Sequence, residues 1–428
     1  MKKVVIGLML LLNLVLLGCG FSSTEKVKEV NLFNSGLLAF RSGEKWGYIN
    51  VEEEIVIEAK YDRAGRFNDG EAIVRVDEEM FLIDPEGEEV LDKRYTALYR
   101  DEISSNIFYY EDESWGIMDN DGNILTEPIY DYYYGFYEGL SVVNKNGLFG
   151  YVNTEGEEVT EFVYENAMSF SRGLGVVQVD RKWGAINELG ETVIDFEYDW
   201  LSSFDDNELA VGAKGTEPVS ATYYLIDKDN DVVLENQGRI HEGGPIYPLY
   251  KDDKYYIYDK TGDKFVEDEY LFVVTNFGYA VALYQEQSVR THILFNEDGT
   301  IIKEASDQES NIRTYKLEGK NVHSLIVEKE PGLTLYLQDD SYYINADHVL
   351  FLCTEERFVV ARDEDWGLVD KDNNVLLDFE YSYIYEFDDG YFLYMKDEVW
   401  GVFNSDYSDL FTGDYDYLGS PVNIYMEM

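Results

Sequence analysis

Four histidines, two cysteines and 86 acidic side chains are the residues of this 428-residue chain that could do metal, nucleophilic or acid–base chemistry. Their spacing argues against most of it. His241, His292, His323 and His348 have no second ligand at a metal-binding interval and no cysteine pair to join, so zinc is not expected. Cys353 ends the apolar run Val349-Leu350-Phe351-Leu352, the setting of a small buried hydrophobe rather than of an activated thiolate. Asp227-Lys228-Asp229-Asn230-Asp231 and Asp370-Lys371-Asp372-Asn373-Asn374 begin as calcium loops do. Where such a loop needs glycine they carry Val232 and Val375, and where it needs a bidentate glutamate they carry Gly238 and Tyr381. Both read as turns. Weak surface contact with Ca2+ is all that their carboxylates permit, and no cofactor is expected. There is no glycine-rich phosphate loop before a helix and no G-x-S-x-G element. No carboxylate pair is marked out for glycoside hydrolysis, which needs two at a set separation across a cleft.

What the chain offers instead is aromatic rings. Tyr132, Tyr133 and Tyr134 are consecutive, with Tyr130 and Tyr137 nearby. In a strand, alternation places at least one of these rings in solvent, where it could stack on a sugar or on a partner's side chain. The bland reading shares all of them between a core and an adjacent repeat. Charge narrows the partners. Lys plus Arg number 34 against 86 Asp plus Glu, a net −52. That excludes a protein that neutralises nucleic-acid phosphates and a polybasic hold on an anionic membrane. It admits cationic partners and keeps an aromatic-rich surface soluble.

The N-terminus reads as an address. Lys2 and Lys3 precede the apolar stretch Val4 to Leu17, broken only by Gly7 and Asn13. It is shorter than the roughly 20 residues of a spanning helix and suits a signal-peptide core. It ends in Leu16-Leu17-Gly18-Cys19, which resembles the lipobox of bacterial lipoproteins, although Leu17 departs from the smaller or β-branched residue usual there. The resemblance implies a signal peptide over 1–18, lipidation of Cys19, and a lipidated tether over 19–36. It also implies a place at the cell membrane facing away from the cytoplasm, or at the outer membrane of a diderm host. Gly20 to Asn31 is polar and reads as flexible.

The rest of the chain is a repeat. Five of six tryptophans precede glycine: Trp46-Gly47, Trp115-Gly116, Trp183-Gly184, Trp366-Gly367 and Trp400-Gly401. The last two tryptophans are 34 residues apart, and the first three are 69 and 68 apart, with Met80-Phe81 and Phe149-Gly150 in the slots between. Seven residues after a slot comes a turn glycine, as at Gly87, Gly122, Gly156, Gly190, Gly262 and Gly299. A tyrosine follows at Tyr61, Tyr95, Tyr130, Tyr164 and Tyr198, and again at Tyr381 and Tyr415; a phenylalanine comes six residues later in most units. Short runs of β-branched and aromatic residues between such turns read as an opening strand, a slot strand and a third strand. Period two puts Trp46 and Tyr48 on one face, with Gly47 and Ile49 on the other. The bare Gly47 lets another backbone or ring come close. A tryptophan buries about 150–250 Å², worth about 4–6 kcal/mol before entropy at about 25 cal/mol per Å². Three short strands cannot cover such a ring, so neighbouring units must.

Trp-Gly-Tyr-Ile-Asn, the glycine turn, Tyr-Asp and Phe-x-x-Gly together resemble the WG-repeat, or KWG-repeat, family of bacterial proteins. The match is clear from about Leu37 to Asn207. From about 208 to 305 it decays in phase, with Tyr223, Tyr255 and His292 in the slot; 306–355 matches poorly, and 356–428 matches again. The residues that carry the signature are Trp46, Gly47, Trp115, Gly116, Phe149, Gly150, Trp183, Gly184, Trp366, Gly367, Trp400, Gly401, Tyr61, Tyr130, Tyr198 and Tyr381. The resemblance brings no catalytic residue with it. The expected fold is all-β, a tandem array of about ten three-stranded antiparallel units. An open or partly closed superhelical array is favoured over a closed, propeller-like ring. The expected function is a membrane-anchored, surface-exposed binding or scaffold lipoprotein, without catalysis, for a protein or polysaccharide partner. The rivals are a carbohydrate-active hydrolase using Asp/Glu pairs and a pure spacer with any specificity in 306–355.

Overall fold

The computed structural model of the chain describes residues 34–50, 52–215, 221–241, 246–264, 270–276, 279–286, 289–295, 301–306, 311–317, 322–329, 332–336, 341–344, 346, 348–353, 357–387, 391–404, 407, 409–413, 415 and 417–418. Cys19, the signal segment and the tether as far as residue 33 lie outside the described residues. Apart from a 3-10 turn at Asn34–Gly36, the described elements are β-strands in separate three- and four-stranded antiparallel sheets.

The first eleven strands define the plan. β1 (Leu37–Ser42), β2 (Lys45–Asn50) and β3 (Ile55–Tyr61) belong to one sheet; β4 (Arg63–Ala64), β5 (Ala72–Val76) and β6 (Glu79–Ile83) form the next. β7 (Ala97–Arg100), β8 (Ile107–Glu111), β9 (Ser114–Met118) and β10 (Ile124–Tyr130) form a third, ordered β10-β9-β8-β7, and β11 (Tyr132–Tyr137) opens a fourth. The opening, slot and third strands of the repeat are thus β8, β9 and β10. A further strand precedes them. The short segment after each repeat tyrosine, such as β4 after Tyr61 or β11 after Tyr130, crosses over and becomes the first strand of the next sheet. The plan outlasts the sequence signature. Between 306 and 355, Asn311–Leu317, Val322–Lys329, Gly332–Tyr336 and Ser341–Ile344 form a four-stranded sheet.

Register explains the constant interval between slot and tyrosine. Trp46 lies opposite Tyr61, Trp115 opposite Tyr130, Trp183 opposite Tyr198 and Trp366 opposite Tyr381. One step further along, Tyr48 lies opposite Ile57, so two residues of β2 span four of β3. The extra residues form a bulge that bends the outer strand.

The cores lie between units. One cluster joins Trp46, Tyr48, Ile57 and Tyr61 of the first unit to Ala64, Phe67, Val74 and Phe81 of the second. The next joins Ile73, Met80 and Leu82 of the second to Leu98, Tyr109 and Met118 of the third. Val74 and Ile73 are adjacent in β5 yet serve different cores, as the pleat requires. Tyr48 and Tyr151 each donate a hydroxyl hydrogen bond, 2.7 Å long, into the following unit, to the carbonyls of Gly65 and Met168. A unit therefore completes itself only against its neighbours.

Candidate binding surface

The slot glycine is dictated by the bulge. A Cβ on Gly47 would lie 2.4 Å from the Ile57 carbonyl oxygen and 2.7 Å from the Ala59 nitrogen. Gly184 meets the Ile194 carbonyl oxygen at 2.4 Å, and Gly367 meets that of Leu377 at 2.8 Å. At Gly116, Gly150 and Gly401 a ring fills the space instead, from Tyr109, Phe162 and Tyr394. The slot rings face inward. Trp46 is buried, while Trp115, Phe149, Trp183, Trp366 and Trp400 are half-buried. Tyr61, Tyr130, Tyr198 and Tyr381 are buried, and burial pushes their hydroxyls up to about 12.

Many of the scarce cations are committed to the fold. Lys214 sits 4.4 Å over the Tyr198 ring, Lys60 5.1 Å over Tyr61 and Arg94 4.2 Å over Phe81. Lys45 holds Asp62 at 2.5 Å and Lys182 holds Asp199 at 2.6 Å. The Lys45 ammonium keeps the Asp62 carboxyl below its ordinary value. The Gly215 N–H, then Lys182, does so for Asp199. With those cations engaged, the excess of acid dominates the surface field.

The tyrosine run divides by alternation. Tyr133 points inward, stacked on Phe108 at 3.9 Å and edge-on to Trp115 at 4.7 Å. Tyr132 and Tyr134 point outward, 52% and 44% exposed, with ring centroids 5.1 Å apart. A later unit repeats the arrangement. Tyr383 and Tyr385 stand two and four residues after Tyr381, as Tyr132 and Tyr134 stand after Tyr130, and are 36% and 37% exposed. Sequence reasoning missed this second pair. Its signal was the alternation Tyr381-x-Tyr383-x-Tyr385 at the same phase as Tyr130-x-Tyr132-x-Tyr134.

The profile of the family described as "WG containing repeat" matches residues 46–79, 115–149, 149–183, 183–211 and 366–400. Each match begins on a slot residue. The chain is a WG-repeat protein. No curated protein matches its sequence. Among solved structures it is similar to a eukaryotic initiation factor, at 11% identity and TM-score 0.40, over 91% of this chain and all of that one. It is also similar to Kluyveromyces lactis Hsv2, at 7% and 0.26 over 58% and 96%, and to the tricorn protease, at 11% and 0.27 over 89% and 53%.

In this WG-repeat protein the two calcium-like acid runs are turns. Asp227 Oδ1 accepts from the backbone N–H of Asp229 and Asp231 at 3.0 and 2.9 Å; Asp370 Oδ1 accepts from Asp372 and Asn374 at 2.9 and 2.8 Å. Asn50, Asn153 and Asn187 do the same in their units. This is the Asx turn, which Asp and Asn form equally well. Among the described residues no three His, Cys, Asp or Glu side chains converge as a metal site requires. His241 is half-buried, 5.7 Å from the Tyr255 ring, and partial burial holds its pKa below the ordinary value. His292 occupies its slot opposite Ala305, and Cys353 pairs with Arg357 across its strand.

Proposed function

We propose that this WG-repeat protein is a membrane-anchored, non-catalytic binding scaffold that meets its ligand through the exposed tyrosines of its first strands. One observation carries the reading: the outward pair Tyr132/Tyr134 recurs as Tyr383/Tyr385 in a unit far along the chain. Tyr133, locked onto Phe108, makes β11 a rigid support for its pair. Tyrosines held in this way bind with little loss of side-chain entropy and offer both a ring face and a hydroxyl. A net −52 favours a neutral or cationic polysaccharide, or a basic protein surface. The lipobox-like Cys19 supplies the anchor, since each buried methylene of an acyl chain contributes about 0.8 kcal/mol. The acidic array is then repelled by an anionic bilayer and stands away from it.

The test uses the full chain in its own membranes, mixed with purified peptidoglycan and, separately, with polylysine. Capture without release of soluble fragments, lost when Tyr132, Tyr134, Tyr383 and Tyr385 are all changed to Ala, is the expected result. Fragment release, or capture indifferent to those changes, ends the proposal. For the anchor, globomycin should cause precursor to accumulate. Normal cleavage of a Cys19→Ser chain into soluble product would identify a plain secretory signal instead.

A further inference from the structure

After Tyr61, Tyr95, Tyr130, Tyr164, Tyr198 and Tyr381, the segment that follows the repeat tyrosine forms the first strand of the next sheet, as β4 follows Tyr61. Tyr415 holds that position for the unit of Trp400, and the segment after it is Tyr417–Leu418. This strand pairs with β1, at the opposite end of the array: Leu418 lies opposite Phe40 and Tyr417 opposite Arg41. It is the first strand that the first sheet otherwise lacks. The Tyr417 ring sits between Trp46 at 5.5 Å and Trp400 at 5.4 Å, and Tyr415 lies 5.4 Å from Phe40. Beneath them Leu38, Phe40 and Ile49 form a shared core with Leu393 and Val402, of the same kind as the cores between consecutive units.

We infer that Tyr415, Tyr417 and Leu418 form a clasp that joins the two ends of the array and is its point of opening. In a stacked array each unit is stabilised by its neighbours, and the end units lack one. The clasp gives each end unit the other as a neighbour. Consecutive units stay tethered by the chain when their interface parts. Across this seam the partners are hundreds of residues apart, so parting releases far more chain entropy. Local opening accordingly starts here. The clasp also reaches the second tyrosine pair, because Tyr383 packs edge-on against Trp400 at 5.6 Å.

Two measurements on the full chain test this. Arg41→Cys with Tyr417→Cys, in a Cys353→Ser background, places two thiols directly opposite each other, with Cβ atoms about 4.5–5.5 Å apart and therefore within reach of a disulfide after small adjustment. Mild oxidation should give an intramolecular bridge, seen as a shifted monomer band on a non-reducing gel. A band of twice the mass, or no bridge, overturns the clasp. Tyr417→Ala should speed hydrogen exchange about tenfold or more in Leu38–Arg41 and in Leu393–Val402, and leave Phe108–Ile117 unchanged. Unaltered exchange in β1 also overturns it.

Discussion

The hydroxyl of Tyr198 donates a 2.8 Å hydrogen bond to Oδ1 of Asn230, the residue that stands where other units have their turn glycine. Tyr61 and Tyr130 occupy the same repeat position, but the turns facing them carry Gly87 and Gly156, and their buried hydroxyls have no hydrogen-bond partner. Chemically identical repeat positions therefore differ in what they contribute. Tyr198→Phe should cost about 0.5–1.5 kcal/mol by loss of the bond, more if Asn230 is left unsatisfied. Tyr61→Phe and Tyr130→Phe should be neutral or slightly stabilising. Urea midpoints of the three variants decide this, and equal losses would contradict it.

Gly47 and Gly147 are both required as glycine, for different reasons. A Cβ at Gly47 strikes the β3 backbone, whereas Gly147 has open space but a φ of +82°. Gly147→Ala should lose about 1–2 kcal/mol from the left-handed backbone alone. Gly47→Ala should lose about 3 kcal/mol or more, since backbone rather than a movable side chain must yield. Thermal unfolding of the pair should rank them in that order.

High pH should unfold the chain. Tyr61, Tyr130, Tyr198 and Tyr381 titrate near about 12 when folded, because burial disfavours the phenolate, against an ordinary 10. A raised folded value means that stability is complete below pH about 10 and is lost as pH climbs from there through 12. Tyrosinate absorbance and circular dichroism should then change together, with the buried hydroxyls ionising only as the sheets melt. Full tyrosine ionisation with the sheets intact would refute this.

Within the tyrosine run, stability and exposure should separate. Tyr133→Ala removes a ring stacked on Phe108 and edge-on to Trp115, and should cost about 2–4 kcal/mol, reaching only the lower part of the range for a wholly buried ring. Tyr132→Ala and Tyr134→Ala should each stay within about 0.5–1 kcal/mol. Chemical denaturation of the three single variants provides the comparison, and a large loss at Tyr134 would recast it as a core residue.

The sequence by itself determined the unit and its mechanics. The interval from Trp46 to Tyr61 is a hydrogen-bonding register, the bare Gly47 is the footprint of a bulge, and the Asp or Asn four residues after the slot is an Asx turn. All three are local constraints of backbone geometry, so each leaves its mark within one repeat. The fourth strand left a weaker mark. β4 is two residues long, and nothing in Arg63–Ala64 states that it pairs with β5 in the next sheet rather than with β3. Only the tertiary structure decided which tyrosines of 132–134 meet solvent, which repeat hydroxyls find a partner, and that Tyr417 lies between Trp46 and Trp400. Those outcomes depend on what a neighbouring or distant unit presents across an interface. A repeat signature records the unit but not which residues another unit sets against it.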